Sequence, residues 1–248
     1  MLFFTYHRVC RDRCEDDGGF YTVTVEEMER QLAMLTSKGF HAGALPALLA
    51  GERDDRAAFI TFDDGTRDHV ELAAPLLERL GWRGIFFIPT EKIDRPGRVT
   101  AAEVRALAAA GHEVGCHSHE HRRLDTLAES EIRAQLAASC ARLAELTGQA
   151  PRIFAPPGGY SGEAVRRAAA AAGLRALRTM AWGLNRPPRL DALATIPLNR
   201  SLSTARLGKI LDGRGLAWLR TLYLAKQTCK AFLPVHFYER ARRKIFRR

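Results

Sequence analysis

Short runs of unbroken hydrophobic residues alternate along this chain with longer stretches in which apolar side chains recur every three or four positions, as buried strands and amphipathic helices do. The apolar runs are Phe3 to His7, Ala57 to Phe62, Gly84 to Pro89, Glu113 to Cys116, Ile153-Phe154, Leu174 to Thr179 and Ile196 to Leu198, and each predicts a strand. Between them, Thr24 with Glu27 three residues on caps a helix whose apolar face is Met28, Leu32 and Leu35, and Gly39 stops it. Val70 to Leu80, Ser130 to Leu146 and Gly162 to Ala172 carry the same helical period. Thr100 and Glu103 form a second capping pair before Val104 to Ala110, which Gly111 closes. Asp12 to Gly19 is rich in turn formers, and Pro156-Pro157-Gly158-Gly159 forces a loop.

Strands and helices in this alternation predict an α/β fold with a mostly parallel sheet. A doubly wound sheet would carry a glycine-rich phosphate loop after its first strand, and none follows Phe3 to His7. Polar groups gather instead at strand ends, at His7, Asp63-Asp64, Pro89-Thr90, His117 and Ala155-Pro156, which is how a barrel assembles its chemistry. A chain of 248 residues suits one such barrel. The division expected is a barrel domain over residues 1–212 and a basic helical tail over 213–248.

Charge sharpens that division. Of the net +10, residues 213–248 hold +9, from ten Lys/Arg and one acidic residue, so the body is nearly neutral. Leu216, Leu219, Leu222, Tyr223 and Leu224 against Arg220, Lys226 and Lys230 give the tail an amphipathic cast, suited to an anionic membrane surface. No stacking surface interleaves with the basic residues, so nucleic acid is not an expected partner. Five cysteines without a close CxxC pair favour a reduced setting, and Met1 to His7 is no basic leader. No apolar run approaches the roughly 18 residues of a membrane span. The expected location is cytoplasmic, peripheral at the inner face of the membrane.

Two motifs carry the chemistry. Ile60-Thr61-Phe62-Asp63-Asp64-Gly65 sets adjacent carboxylates at the end of an apolar strand, where they repel unless a cation or proton offsets them. His117-Ser118-His119-Glu120-His121 follows another strand. Two imidazoles and one carboxylate suit a divalent ion with an open position, and a second carboxylate is left to act as general base. His117 and His121 point the same way if their segment is helical or tightly coiled, while His119 points elsewhere. Which aspartate binds and which reacts is open on these grounds. Asp-Asp-Gly also suits a plain turn.

Thr61 to Gly65, His117 to His121 and Phe154 to Gly159, in that order, resemble the first three motifs of the polysaccharide deacetylase family, carbohydrate esterase family 4. Tyr6-His7-Arg8-Val9, then Phe20 to Val23 and Phe40, resemble the lead-in of its bacterial members, so the likeness spans about residues 3–200. The resemblance implies a distorted (β/α) barrel that removes acetyl groups from N-acetylated sugars, with a divalent metal, commonly Zn2+, as cofactor. By position, Asp63 is the general base, Asp64, His117 and His121 the metal ligands, and the Gly158 amide the oxyanion donor. The expected partner is an N-acetylated glycan or glycolipid. The pocket residues expected are Pro157, Arg178 and Trp182.

The chain departs from the pattern in three places. Ala155 stands where relatives often carry the arginine that orients the base, for which Arg178 and Arg152 are spatial substitutes. Gly158 stands where they carry an aromatic residue. Ile196 to Arg200 lacks the histidine that serves as leaving-group acid, which leaves His7, His119 and His236, with His7 preferred because it ends the first strand. These departures keep two alternatives in view: a non-catalytic glycan-binding barrel, and an O-acetyl esterase or sugar deformylase using the same metal site. An alkoxide leaves more readily than an amine anion and so needs less help from an acid.

Overall fold

The structure is a computed structural model, and it describes residues 1–12, 21–200, 202–214 and 221. In chain order the strands and helices are β1 (Leu2–Tyr6), β2 (Arg8–Cys10), β3 (Thr22–Thr24), α1 (Val25–Ser37), β4 (His41–Ala42), α2 (Leu45–Leu49), β5 (Ala57–Phe62), α3 (Ala74–Arg79), β6 (Gly84–Ile88), α4 (Ala101–Ala109), β7 (Glu113–Cys116), α5 (Glu129–Thr147), β8 (Ile153–Phe154), α6 (Glu163–Ala171), β9 (Ala176–Trp182), β10 (Leu193–Pro197) and α7 (Thr204–Leu211). Strands β1, β10, β9, β8, β7, β6 and β5 pair in that order, and β5 returns to pair with β1, closing a barrel. Every pairing in the ring is parallel, and β4 adds a short strand beside β5. The expected (β/α) barrel is the observed fold.

Strand side chains alternate between two faces, and that period decides what lies inside the barrel. Phe3, Phe59, Ile85, Phe87, Ile153, Ala176 and Leu193 form the inner cluster. Phe4, Ile60, Phe86 and Ile196 face outward, where they pack with Met28, Leu32, Leu77, Val104 and Leu143 from the surrounding helices. Inside, Phe3 stacks on Phe59 at 4.4 Å. Above that pair, the hydroxyl of Thr5 lies 3.0 Å from that of Thr61 and 2.8 Å from that of Thr195. The interior is therefore packed, and only its C-terminal rim is left for a site.

The helix caps work as expected at Thr100, whose side chain takes the Glu103 amide while Glu103 returns to the Thr100 amide. At Thr24 half of the expected pair forms. Its hydroxyl accepts from the Glu27 amide at 3.2 Å, but Glu27 turns to the amide of Thr204 at 3.1 Å and ties α1 to α7. The helix expected over Val70 to Leu80 opens as a π-helical turn, His69–Ala73, before α3. Strands β2, β3 and β4 and helices α2 and α7 have no counterpart in the pattern-based expectation. The break expected after residue 212 adjoins residues 215–220 and 222–248, which lie outside the described residues, as do Cys14, Phe20, Cys229 and His236.

Candidate active site

The inward-facing rows of the barrel run on past the hydroxyl layer into polar residues. In β1 the row Phe3, Thr5 continues to His7, and in β5 the row Phe59, Thr61 continues to Asp63. The parallel register pairs Thr5 with Thr61, so the next inward positions are His7 and Asp63. Asp63 still donates its amide to the Tyr6 carbonyl at 3.0 Å. Its carboxylate therefore sits at the rim of the interior, with the His7 Nε2 3.9 Å from Oδ2. By the same count Gly115 leads to His117, Ile153 to Ala155, and Ala176 to Arg178 and Met180.

Arg178 is fully buried and its guanidinium donates to Asp63 Oδ1. It also lies over the Phe87 ring at 5.0 Å, and its other terminal nitrogen lies 2.9 Å from the Met180 sulfur. Arg178, expected both as a pocket wall and as a stand-in for the missing arginine, is the guanidinium that contacts Asp63. Arg152, the other candidate, pairs with Glu113 at 2.7 Å, where β7 begins, away from the site. Burial works to raise the Asp63 carboxyl, but the charges of Arg178, His117 and His7 prevail and hold it below the usual carboxylate range.

Asp64 would face outward by strand parity. It turns back because β5 has ended and its own φ is 79°, followed by Gly65 at 57°. Arg98 fixes this turn by donating to the Asp64 carbonyl at 2.7 Å. Asp64 Oδ1 then lies 3.3 Å from His117 Nε2 and 2.9 Å from His121 Nε2. The three ligand atoms fall within 4.8 Å of one another. His117 Nδ1 lies 2.6 Å from the Ala155 carbonyl, which can only accept, so Nδ1 carries a proton and Nε2 is the nitrogen turned toward Asp64. This oxygen-and-nitrogen donor set, with one imidazole oriented from behind, fits a divalent ion such as zinc. Burial raises the Asp64 carboxyl, yet hydrogen bonds to His117 and His121 overcome it and hold the group far below its ordinary value.

The two histidines converge without a helix. His117 to His121 is a loop in which Ser118 and His121 take φ of 62° and 65°, and the Ser118 hydroxyl accepts the His121 amide at 3.1 Å. His119 leaves the cluster, with Nδ1 2.8 Å from the Thr90 hydroxyl. Pro157 is buried in the turn Pro157–Gly159, where Gly158 has φ of 67°. A Cβ on Gly158 would come within 2.8 Å of the Tyr160 ring, so Tyr160 fills the space beside the bare glycine. That ring also carries the Arg123 guanidinium at 3.8 Å. Trp182 ends β9, half-buried and in register with Thr195. Met180, Arg98, Asp68 and His69 were not expected at the site. For Met180 the alternation Ala176, Arg178, Met180 was the available signal, whereas the others lie in loops or a π-turn without periodicity.

Residues 50–177 match the family model described as polysaccharide deacetylase. Among curated relatives, the Bacillus subtilis protein YxkH is 21% identical over 201 residues, covering 79% of this chain and 72% of that protein. A peptidoglycan-N-acetylglucosamine deacetylase of Bacillus cereus is 30% identical over 103 residues, covering 40% of this chain and 35% of its own length. Among solved structures, the Streptococcus pyogenes deacetylase PplD superposes with a TM-score of 0.76 at 16% identity, covering 84% of this chain and 96% of that one. IcaB from Ammonifex degensii gives 0.76 at 20% identity, with 85% and 96% covered. These structural likenesses establish the fold.

Proposed function

Because the chain belongs to the polysaccharide deacetylase family, and so to the hydrolases of non-peptide carbon–nitrogen bonds, we propose that it removes the acetyl group from an N-acetylated sugar of a glycan or glycolipid, with a divalent ion, zinc first, held by Asp64, His117 and His121. The observation that carries this reading is the buried Asp63 carboxylate, flanked by Arg178 and His7, beside the Asp64–His117–His121 cluster. A divalent ion held by Asp64, His117 and His121 would supply Lewis acidity, making a water more acidic and polarising the acetyl carbonyl.

The chain's own residues do the rest. Asp63, ionised and held by Arg178, takes the proton of the attacking water. Charge growing on the acetyl oxygen is met by the Gly158 amide. His7, beside the Asp63 oxygen that Arg178 does not hold, gives its proton to the departing amine, filling the role left vacant by Asn199 and Arg200. Pro157, Met180 and Trp182 line the acyl side. With His7 available as acid and Arg178 in place of the absent arginine, the parts of an amide hydrolase are assembled, which favours catalysis over a glycan-binding role.

The test is release of acetate or formate from a panel of N-acetylated, N-formylated and O-acetylated sugars, peptidoglycan and chitooligosaccharides included. The expected result is acetate from N-acetylated members. Release from O-acetyl or N-formyl members alone would assign the esterase or deformylase reading, and bound metal with no release from any member would assign glycan binding.

A further inference from the structure

His7 stands in a gap between two strands, β1 ending at Tyr6 and β2 beginning at Arg8, so no ladder fixes its backbone. The segment just after Asp63-Asp64 does so instead. His69 Nε2 lies 2.7 Å from the His7 carbonyl and 3.0 Å from the Thr66 hydroxyl. A carbonyl only accepts, so His69 is the Nε2–H tautomer and donates to His7. Asp68 Oδ2 accepts the Val9 amide at 2.7 Å, and Arg8 Nε lies 3.5 Å from its other oxygen. On the other side, Arg8 donates its amide to the Tyr21 carbonyl at 3.3 Å, and the His7 ring lies 5.0 Å from that of Tyr21.

His69 is expensive to keep. It is fully buried between Phe62 and Phe86, at 5.2 and 6.1 Å, and its Nδ1 has no hydrogen-bond partner among the described residues. A leucine would fill that space without an orphaned nitrogen. The helix also opens with a π-turn at His69, a distortion frequent at functional sites, and here it begins at the residue whose ring reaches back to β1. Burial keeps the imidazole neutral by lowering its pKa, despite nearby Asp68.

We propose that His69, with Asp68, is a positioning residue for His7, so that one segment, residues 63–69, supplies the base, a metal ligand and the brace for the acid. This rests on the reading of His7 as leaving-group acid. Bracing matters because general acid catalysis needs the proton within hydrogen-bond reach of the departing nitrogen. A nitrophenolate departs without a proton, so only amide cleavage should feel the brace.

The test compares wild type, His69→Leu, His69→Gln, His7→Ala and His7→Ala/His69→Leu on two substrates, the N-acetylated sugar turned over fastest in the panel and p-nitrophenyl acetate. His69→Leu is expected to lower kcat for the amide about tenfold or more, with KM and ester turnover little changed. His69→Gln, which keeps an N–H near the same place, is expected to restore it, and the double variant to be no slower than His7→Ala. A crystal structure of His69→Leu should show the His7 ring moved away from Asp63. Unchanged amide turnover in His69→Leu, equal loss on both substrates, or losses that add in the double variant would each overturn the positioning role. Full amide activity in His7→Ala would refute the acid assignment itself, and wild type inert on every amide would refute the deacetylase reading beneath it.

Discussion

Asp63 is a buried carboxylate whose charge is held by a buried guanidinium, and removing one partner of such a pair strands the other. Arg178→Met is expected to destabilise the fold by about 3–5 kcal/mol in urea unfolding. The paired change Asp63→Asn/Arg178→Met should recover much of that loss, since it strands no charge. The acid response follows from the same geometry. The Asp63 carboxyl is held below its ordinary 3.8, so its contribution to stability is present above that value and is lost as pH falls through the lower native one. A second acid-labile group acts nearer neutrality. His112 accepts the Gly84 amide at 3.0 Å and lies 3.1 Å from Glu78, and burial lowers its pKa from 6.5 although Glu78 opposes the shift. The unfolded chain therefore takes up a proton that the folded one refuses. Stability should begin to fall below pH 6.5, and His112→Gln should make that part of the profile shallower in apo-protein unfolding measured across pH, with buried His69 supplying the remaining slope.

At the scale of elements, the barrel was legible because seven short apolar runs, buried on both faces, with helical periods between them leave few other arrangements. The site was legible to the extent that it continues those periods. His7, Asp63, His117 and Arg178 all extend inward-facing rows, and the strand ends named from sequence are the rim of the interior. Legibility stopped where the period stops. The convergence of His117 with His121 comes from left-handed backbone at Ser118 and His121 rather than helical spacing, and Arg98, Asp68 and His69 act from segments with no pattern to read. Strands β2, β3 and β4 have two or three residues each and mix polar with apolar side chains, so unlike Ile153-Phe154 they form no apolar run. Gly115 lies in the same inward-facing row, two residues before His117. A Cβ there would lie 2.5 Å from the Phe87 ring, so Gly115→Ala should destabilise by about 1–3 kcal/mol. Because β7 delivers His117, zinc affinity measured by calorimetry should weaken along with the melting temperature.

On the whole molecule, the candidate site lies at the rim of a packed barrel, and the strongest charge asymmetry lies elsewhere, in residues 213–248 with +9. No helix among the described residues is long and apolar enough to cross a membrane. A basic segment near anionic lipid gains about 1 kcal/mol per residue, so the full chain should sediment with vesicles containing anionic lipid, and truncation after Asp212 should abolish it. Equal partitioning of both forms would remove the membrane role. The deacetylase account itself divides metal binding from proton transfer between two adjacent residues, and that division can be read in one preparation by metal analysis and acetate release. Asp63→Asn should keep one zinc ion per chain and lose acetate release, whereas Asp64→Asn should lose both. Acetate release that survives Asp63→Asn, or wild-type protein that binds no divalent ion, would contradict the account.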